Sequence, residues 1–131
     1  DVPTVDQFAR PLDATLRLLA RAGLAEAAVF GLRPSQLSDG QRWRLSIAHA
    51  MAEAERARGG TILLDEFAST LDRLSARCIS RTLRRWVHAA GIRAVCATAH
   101  DDLLQSLAPS LVIHQPLSAP AELRRAPGAA P

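Results

Sequence analysis

The sequence predicts an α/β fold: parallel strands flanked by helices, a helical segment at the N-terminus and a disordered C-terminal tail. Three observations lead there. Thr61-Ile62-Leu63-Leu64 is a short unbroken apolar run, the mark of a strand covered on both faces, Ile92 to Thr98 reads as a second buried strand and Leu111-Val112-Ile113 as a third. Stretches of helical periodicity alternate with them, and such alternation implies a parallel layer. Gly23, Gly59-Gly60 and Gly91 close those helical stretches.

Taken in order, residues 1–12 read as irregular, with Pro3 and Pro11. A helix follows Asp13 as N-cap, with Leu12, Leu16 and Leu19 at helical spacing and Arg17 and Arg21 facing away. A short apolar piece from Leu24 to Leu32 leads to Pro34. Ser38 and Gln41 then form an S-x-x-Q capping box. The helix they start runs to about Arg58, with Leu45, Ala48, Met51 and Ala52 inside. After the first strand, Ser69-Thr70-Leu71-Asp72 opens another helix. Its apolar stripe is Ile79, Leu83, Trp86, Val87 and Ala90, and its outer face carries Arg77, Arg81, Arg84 and Arg85. Asp101 to Leu107 makes a brief helix between the second and third strands. From Gln115 onward Pro, Ala and Arg dominate, a composition that buries too little apolar surface to offset ordering entropy.

At 131 residues the chain is sized for one domain. It holds sixteen arginines and no lysine, which excludes a Schiff-base lysine, a catalytic lysine and a phosphate-gripping P-loop lysine. A net charge of +3 is a weak argument for a nucleic-acid or membrane partner. No apolar run approaches the roughly 18 residues that cross a membrane. Cys78 and Cys96 lack any metal-ligand spacing and read as small core residues in a reducing, cytoplasmic setting. The chain starts at Asp1 rather than Met and reads as a fragment or a trimmed piece.

In open α/β sheets ligands bind beyond the carboxyl ends of the strands. Two such ends are polar here. Asp65-Glu66 follows one strand and His100 another. Asp65 suits Mg²⁺, which keeps much of its water. Glu66 suits a base for an attacking water, and His100 a donor to a phosphoryl oxygen. Phosphoryl transfer needs mainly positioning and charge stabilisation, so these parts are sufficient. The helix start at Ser38-Asp39-Gly40-Gln41 adds an anion site, because its N–H groups and dipole favour negative charge. Taken singly, each element has an ordinary reading: a plain helix cap, a solvated strand end, a structural histidine, and a simple helix start at Leu71-Asp72. Their order and spacing are the specific signal.

Leu37-Ser38-Asp39-Gly40-Gln41 resembles the signature motif of the ABC-type ATPases, usually LSGGQ. Ile62-Leu63-Leu64-Asp65-Glu66 resembles their Walker B strand, Ser69-Thr70-Leu71-Asp72 their D-loop, and Thr98-Ala99-His100 their switch-histidine loop. The resemblance implies the C-terminal half of a P-loop NTPase-like, ABC-type domain. Residues 1–36 would be part of its helical subdomain, 37–114 the core half, and 115–131 the disordered tail. It implies ATP and Mg²⁺ as cofactors. Asp65 would bind the ion, Glu66 would polarise the hydrolytic water and His100 would contact the γ-phosphate. Ser38, Asp39, Gly40 and Gln41 would face the nucleotide of a second ABC-type ATPase domain in a head-to-tail sandwich. Leu71 and Asp72 would communicate across that interface.

The chain departs from the family pattern in three places. Walker A, GxxGxGK[ST], is absent, no glutamine loop is identifiable, and Asp39 replaces a common glycine. An upstream P-loop-containing segment is therefore an expected partner, and a transmembrane partner would make the protein peripheral to a membrane. The stretch Leu37 to Arg44, with Asp65-Glu66-Phe67, also resembles the soluble ABC-type ATPases associated with acetyltransferase domains. Two other readings compete. One is a non-catalytic, degenerate half-domain acting as a partner or regulatory subunit. The other is an arginine-rich nucleic-acid-binding module on the Arg77–Arg85 face, disfavoured because net charge is small and aromatics are scarce.

Overall fold

The computed structural model describes residues 2–126. Side-chain caps start its two long helices. Helix α1 (Leu12–Arg21) and the single turn α2 (Ala27–Phe30) precede α3 (Asp39–Arg56). The Ser38 hydroxyl accepts the Gln41 N–H at 3.3 Å, and the Gln41 side-chain oxygen accepts the Ser38 N–H at 2.9 Å. This is the reciprocal box that S-x-x-Q predicts. Strand β1 (Thr61–Leu64) follows, then α4 (Arg73–Ala90), where Asp72 accepts the Ser75 N–H at 2.9 Å. Gly91 ends α4 at φ 63°, a left-handed position that glycine adopts without strain.

Helix α1 begins two residues earlier than expected. Pro11 occupies its N-cap, and Asp13 lies inside the first turn, where Arg17 donates to its carboxylate at 2.7 Å. The inward face is Thr15, Leu18 and Leu19, while Leu12 is exposed. On α4, Ile79, Leu83 and Trp86 are buried as the stripe requires, whereas Ala90 is exposed. Leu24, Ile47, Met51 and Phe67 complete the centre of the core.

Strand β2 (Arg93–Cys96) pairs with β1 in parallel, from Thr61 opposite Arg93 to Leu64 opposite Cys96, with α4 as the crossover. The expectation of strands covered on both faces fails. Ile62 and Leu64 are buried, but Leu63 is 75% and Val95 56% exposed. Helices α1, α3 and α4 pack together and α3 packs on β1, leaving the other face open among the described residues. An unbroken apolar run does not reveal how many layers lie over it.

The third strand does not join this sheet. After the turn α5 (Leu104–Leu107), β3 (Leu111–His114) pairs antiparallel with β4 (Glu122–Arg125) in a separate hairpin. The expected disorder from Gln115 onward is thereby corrected for residues 115–126; residues 127–131 lie outside the described residues. Leu111, Ile113 and Leu123 are exposed, so the hairpin rests on its backbone ladder rather than on burial. Composition weighs burial and overlooks pairing of this kind.

The cysteines also divide. Cys96 is half-buried, and burial pushes its thiol up to about 11, so it behaves as a small apolar residue. Cys78 is exposed, contrary to its reading as a core residue, because position 78 falls on the outer side of α4.

One carboxylate joins four segments. Glu55 on α3 accepts from Arg10 Nη1 at 2.5 Å, Arg21 Nη1 at 3.2 Å and Trp86 Nε1 at 2.9 Å, and Arg10 Nη2 also donates to the Ala52 carbonyl at 2.9 Å. Burial pushes the Glu55 carboxyl up. The hydrogen bonds from Arg10 and Trp86 and the two nearby guanidiniums outweigh it, so the pKa lies below its ordinary 4.5.

Replacing Glu55 by Gln should destabilise the chain by about 2 kcal/mol, the scale of hydrogen bonds to a charged group. Because the folded-state pKa is depressed, this contribution is fully present above about 4.5 and is lost as pH falls through the folded value. Urea denaturation of both chains from pH 7 downward tests this. The gap between parent and variant should hold steady above pH 4.5 and narrow below it; a constant gap would contradict the assignment.

Candidate functional site

The loops after β1 and β2 are stitched together by backbone and hydroxyl bonds. Ala97 N–H donates to the Leu64 carbonyl at 2.9 Å, and Phe67 N–H donates to Ala97 at 2.8 Å. The Thr98 hydroxyl donates to the Phe67 carbonyl at 3.0 Å and accepts the His100 N–H at 3.2 Å. Asp65 and Glu66 are exposed at this edge, and His100 is half-buried. Asp65 Oδ1 accepts the Glu66 N–H at 2.9 Å, leaving its other oxygen without a protein donor among the described residues.

Glu66 has φ 45° and Ala68 φ 62°, both left-handed. Such a backbone costs a non-glycine residue roughly 1–2 kcal/mol, and strain of this kind clusters at functional sites. Phe67 between them is fully buried and packs edge-on against Trp43 of α3, ring centroids 5.4 Å apart. This contact anchors the turn that presents Glu66.

The helix start and the Leu71-Asp72 segment are in contact. A Cβ on Gly40 would stand 3.2 Å from Leu71 Cδ2 and 3.5 Å from the Thr70 carbonyl. Glycine at position 40 therefore permits the close approach. Arg42 pairs with Asp39, which offsets the negative charge that Asp39 brings to the helix start. Ser38 and Gln41 are occupied with each other, although the Ser38 hydroxyl hydrogen remains available to a ligand. Asp72 is held below its ordinary pKa by the Ser75 hydrogen bonds.

Thus the structure brings Ser38–Gln41 against Thr70-Leu71, and the Asp65-Glu66 loop against the loop leading to His100. It shows no side-chain bond between Glu66 and His100 among the described residues. No group of three or more His, Cys, Asp or Glu side chains suited to a metal occurs among the described residues. A single carboxylate pair still suits Mg²⁺, which takes one or two carboxylates and keeps several waters.

Sequence reasoning missed an ion pair at this edge. Asp102 accepts from Arg73, immediately after Asp72, and from Arg77 at 3.4 Å. Arg73 first, then Arg77, keeps the Asp102 carboxyl below its usual range. Twenty-nine positions separate Arg73 from Asp102, so no local pattern announces the pair.

With this geometry in place, similarity to known proteins is informative. The chain is 42% identical over 90 residues to the macrolide export ATP-binding/permease protein MacB of Burkholderia thailandensis, a stretch covering 69% of this chain and 13% of that protein. It is 35% identical over 101 residues to the sulfate/thiosulfate import ATP-binding protein CysA of Caulobacter vibrioides, covering 77% and 27% respectively. To the phosphonates import ATP-binding protein PhnC of Hyphomonas neptunium it is 36% identical over 107 residues, 81% of this chain and 39% of that one. The likeness is to ATP-binding subunits of ABC transporters. The chain spans well under half the length of each of these relatives. No family model matches it. No helix among the described residues is long and apolar enough to cross a membrane.

The left-handed backbone at Glu66 makes a stability prediction. Glu66→Gly and Glu66→Asn should leave the chain at least as stable as the parent, by up to about 1 kcal/mol, since both residues tolerate this conformation. Urea midpoints would show it. A clear drop in both variants would mean that the Glu66 side chain itself holds the loop.

Proposed function

We propose that the chain is the C-terminal half of an ABC-type ATPase nucleotide-binding domain that works with ATP and Mg²⁺. The observation that carries this reading is the likeness to ATP-binding proteins across more than two-thirds of the chain. Two pairings beside a parallel β-α-β unit support it: Gly40 against Thr70-Leu71, and the loop after Asp65-Glu66 against the loop leading to His100.

In this reading Asp65 holds Mg²⁺ through water, and Glu66 accepts the proton of the attacking water. His100 donates a hydrogen bond to the terminal phosphate. The free N–H groups at the start of α3, with the Ser38 hydroxyl and Gln41, face the nucleotide held by a second ABC-type domain. Gly40 lets Leu71 pack beneath that segment, so Asp72 lies on the same partner-facing side. The nucleotide supplies the phosphoryl group; this chain supplies position, charge and a proton acceptor.

The lysine-containing phosphate loop belongs, in this proposal, to a segment preceding this chain in a longer polypeptide. The uncovered face at Leu63 and Val95 supports this, because parallel sheets occur almost only with both faces covered. A membrane-embedded partner follows if the protein shares the export or import roles named for its relatives.

The purified 131-residue chain should hydrolyse ATP no faster than a buffer blank in a phosphate-release assay; Glu66-dependent turnover by the chain alone would overturn the half-site reading. In a polypeptide joining this chain to a P-loop segment, Glu66→Gln should cut turnover at least about a hundredfold, the usual scale of a general base. The same variant should accumulate an ATP-bound dimer in size-exclusion chromatography. Unchanged turnover would remove Glu66 from its role.

A further inference from the structure

We propose that the groove between α4 and α5 binds an acidic peptide segment of a partner protein. The outer face of α4 carries four arginines, and they are not equivalent. Arg77 shares Asp102 with Arg73, so the charge at the start of the helix is partly offset from within the chain. One turn further on, Arg81, Arg84 and Arg85 have no ion-pair partner among the described residues. These three line a groove of about 530 Å³, together with Thr82 of α4 and Gln105 and Ser106 of α5.

An uncompensated guanidinium cluster in a concavity is complementary to carboxylates, which arginine grips with two parallel hydrogen bonds. Arg81 and Arg85 stand one turn apart, about 6 Å along the helix axis. That spacing is close to the two-residue repeat of an extended peptide, roughly 6.6–6.8 Å. Acidic side chains at alternate positions of an extended segment would therefore meet successive arginines. Gln105, exposed on the opposite wall, has both a donor and an acceptor to offer the peptide backbone.

The same surface is poorly suited to nucleic acid. Strand binders add aromatic platforms on which bases stack. The aromatic residue nearest in sequence, Trp86, is buried, and its ring N–H is engaged by Glu55. Three arginines also neutralise only about three phosphates, too few for firm binding at physiological salt.

Fluorescence anisotropy on the 131-residue chain tests the proposal, using labelled hexaglutamate, a hexamer of deoxythymidylate and a neutral glycine-serine hexapeptide at low salt. Hexaglutamate should bind more tightly than either of the others. Arg81→Gln/Arg85→Gln should weaken that binding about tenfold, the effect of losing two exposed charge pairs of roughly 0.7 kcal/mol each. Both positions are exposed, and an unchanged far-ultraviolet circular dichroism spectrum confirms that the variant folds. Arg93→Gln/Arg125→Gln removes the same charge away from the groove and should leave binding unaltered. The proposal is overturned by no hexaglutamate binding, by equal or tighter binding of the oligonucleotide or neutral peptide, or by equal losses in the two double variants.

Discussion

The packing of the three main helices is arranged around a carboxylate that cannot be allowed to stand alone. Glu55 lies three-quarters out of solvent on α3, where an unpaired charge would be costly. Arg10 reaches it from the segment before α1, Arg21 from the end of α1, and Trp86 from α4. Each partner brings an element with it, so satisfying one charge fixes the mutual placement of three helices. The apolar contacts among Leu18, Leu19, Met51 and Leu83 supply the burial energy, but they are non-directional. The hydrogen bonds to Glu55 select one arrangement among the many that would bury the same area.

From that scaffold the site edge is reached in short steps. Helix α3 carries Trp43 to Phe67 and Gly40 to Leu71. The buried Phe67 ring then holds a turn whose backbone is left-handed on either side of it. A second tether, Arg73 and Arg77 on Asp102, joins the start of α4 to the loop after His100. The segments that could act on a ligand thus lie at the surface edge, tied to the helices by specific contacts.

What was legible in the sequence was local. The Ser38–Gln41 box, the Asp72 cap and the Gly91 stop each involve residues within four positions, and all three form as their chemistry requires. The strand ends carrying Asp65-Glu66 and His100 were legible too, because polar residues after an apolar run mark the edge of a layer. The rest depended on distant partners. Nothing beside Glu55 announces Arg10, Arg21 and Trp86. The hairpin of β3 with β4 escaped because Glu122–Arg125 has neither apolar alternation nor a strong turn before it. The open face at Leu63 and Val95 escaped because helices on one side and on both sides demand the same apolar run. Glu66 at positive φ could not be anticipated from a residue that seldom adopts it.

The two-stranded parallel sheet has a further consequence. Neither β1 nor β2 has a second neighbour among the described residues, so each presents one unpaired row of backbone groups. A sheet in that condition can grow from either side. Which strand arrives first is then a race between a tethered segment at high effective concentration and a second molecule at bulk concentration. Covalent connection would keep the sheet monomeric. For the isolated chain, dilution takes over that role, and the same two edges make its association state a function of how much of it is present.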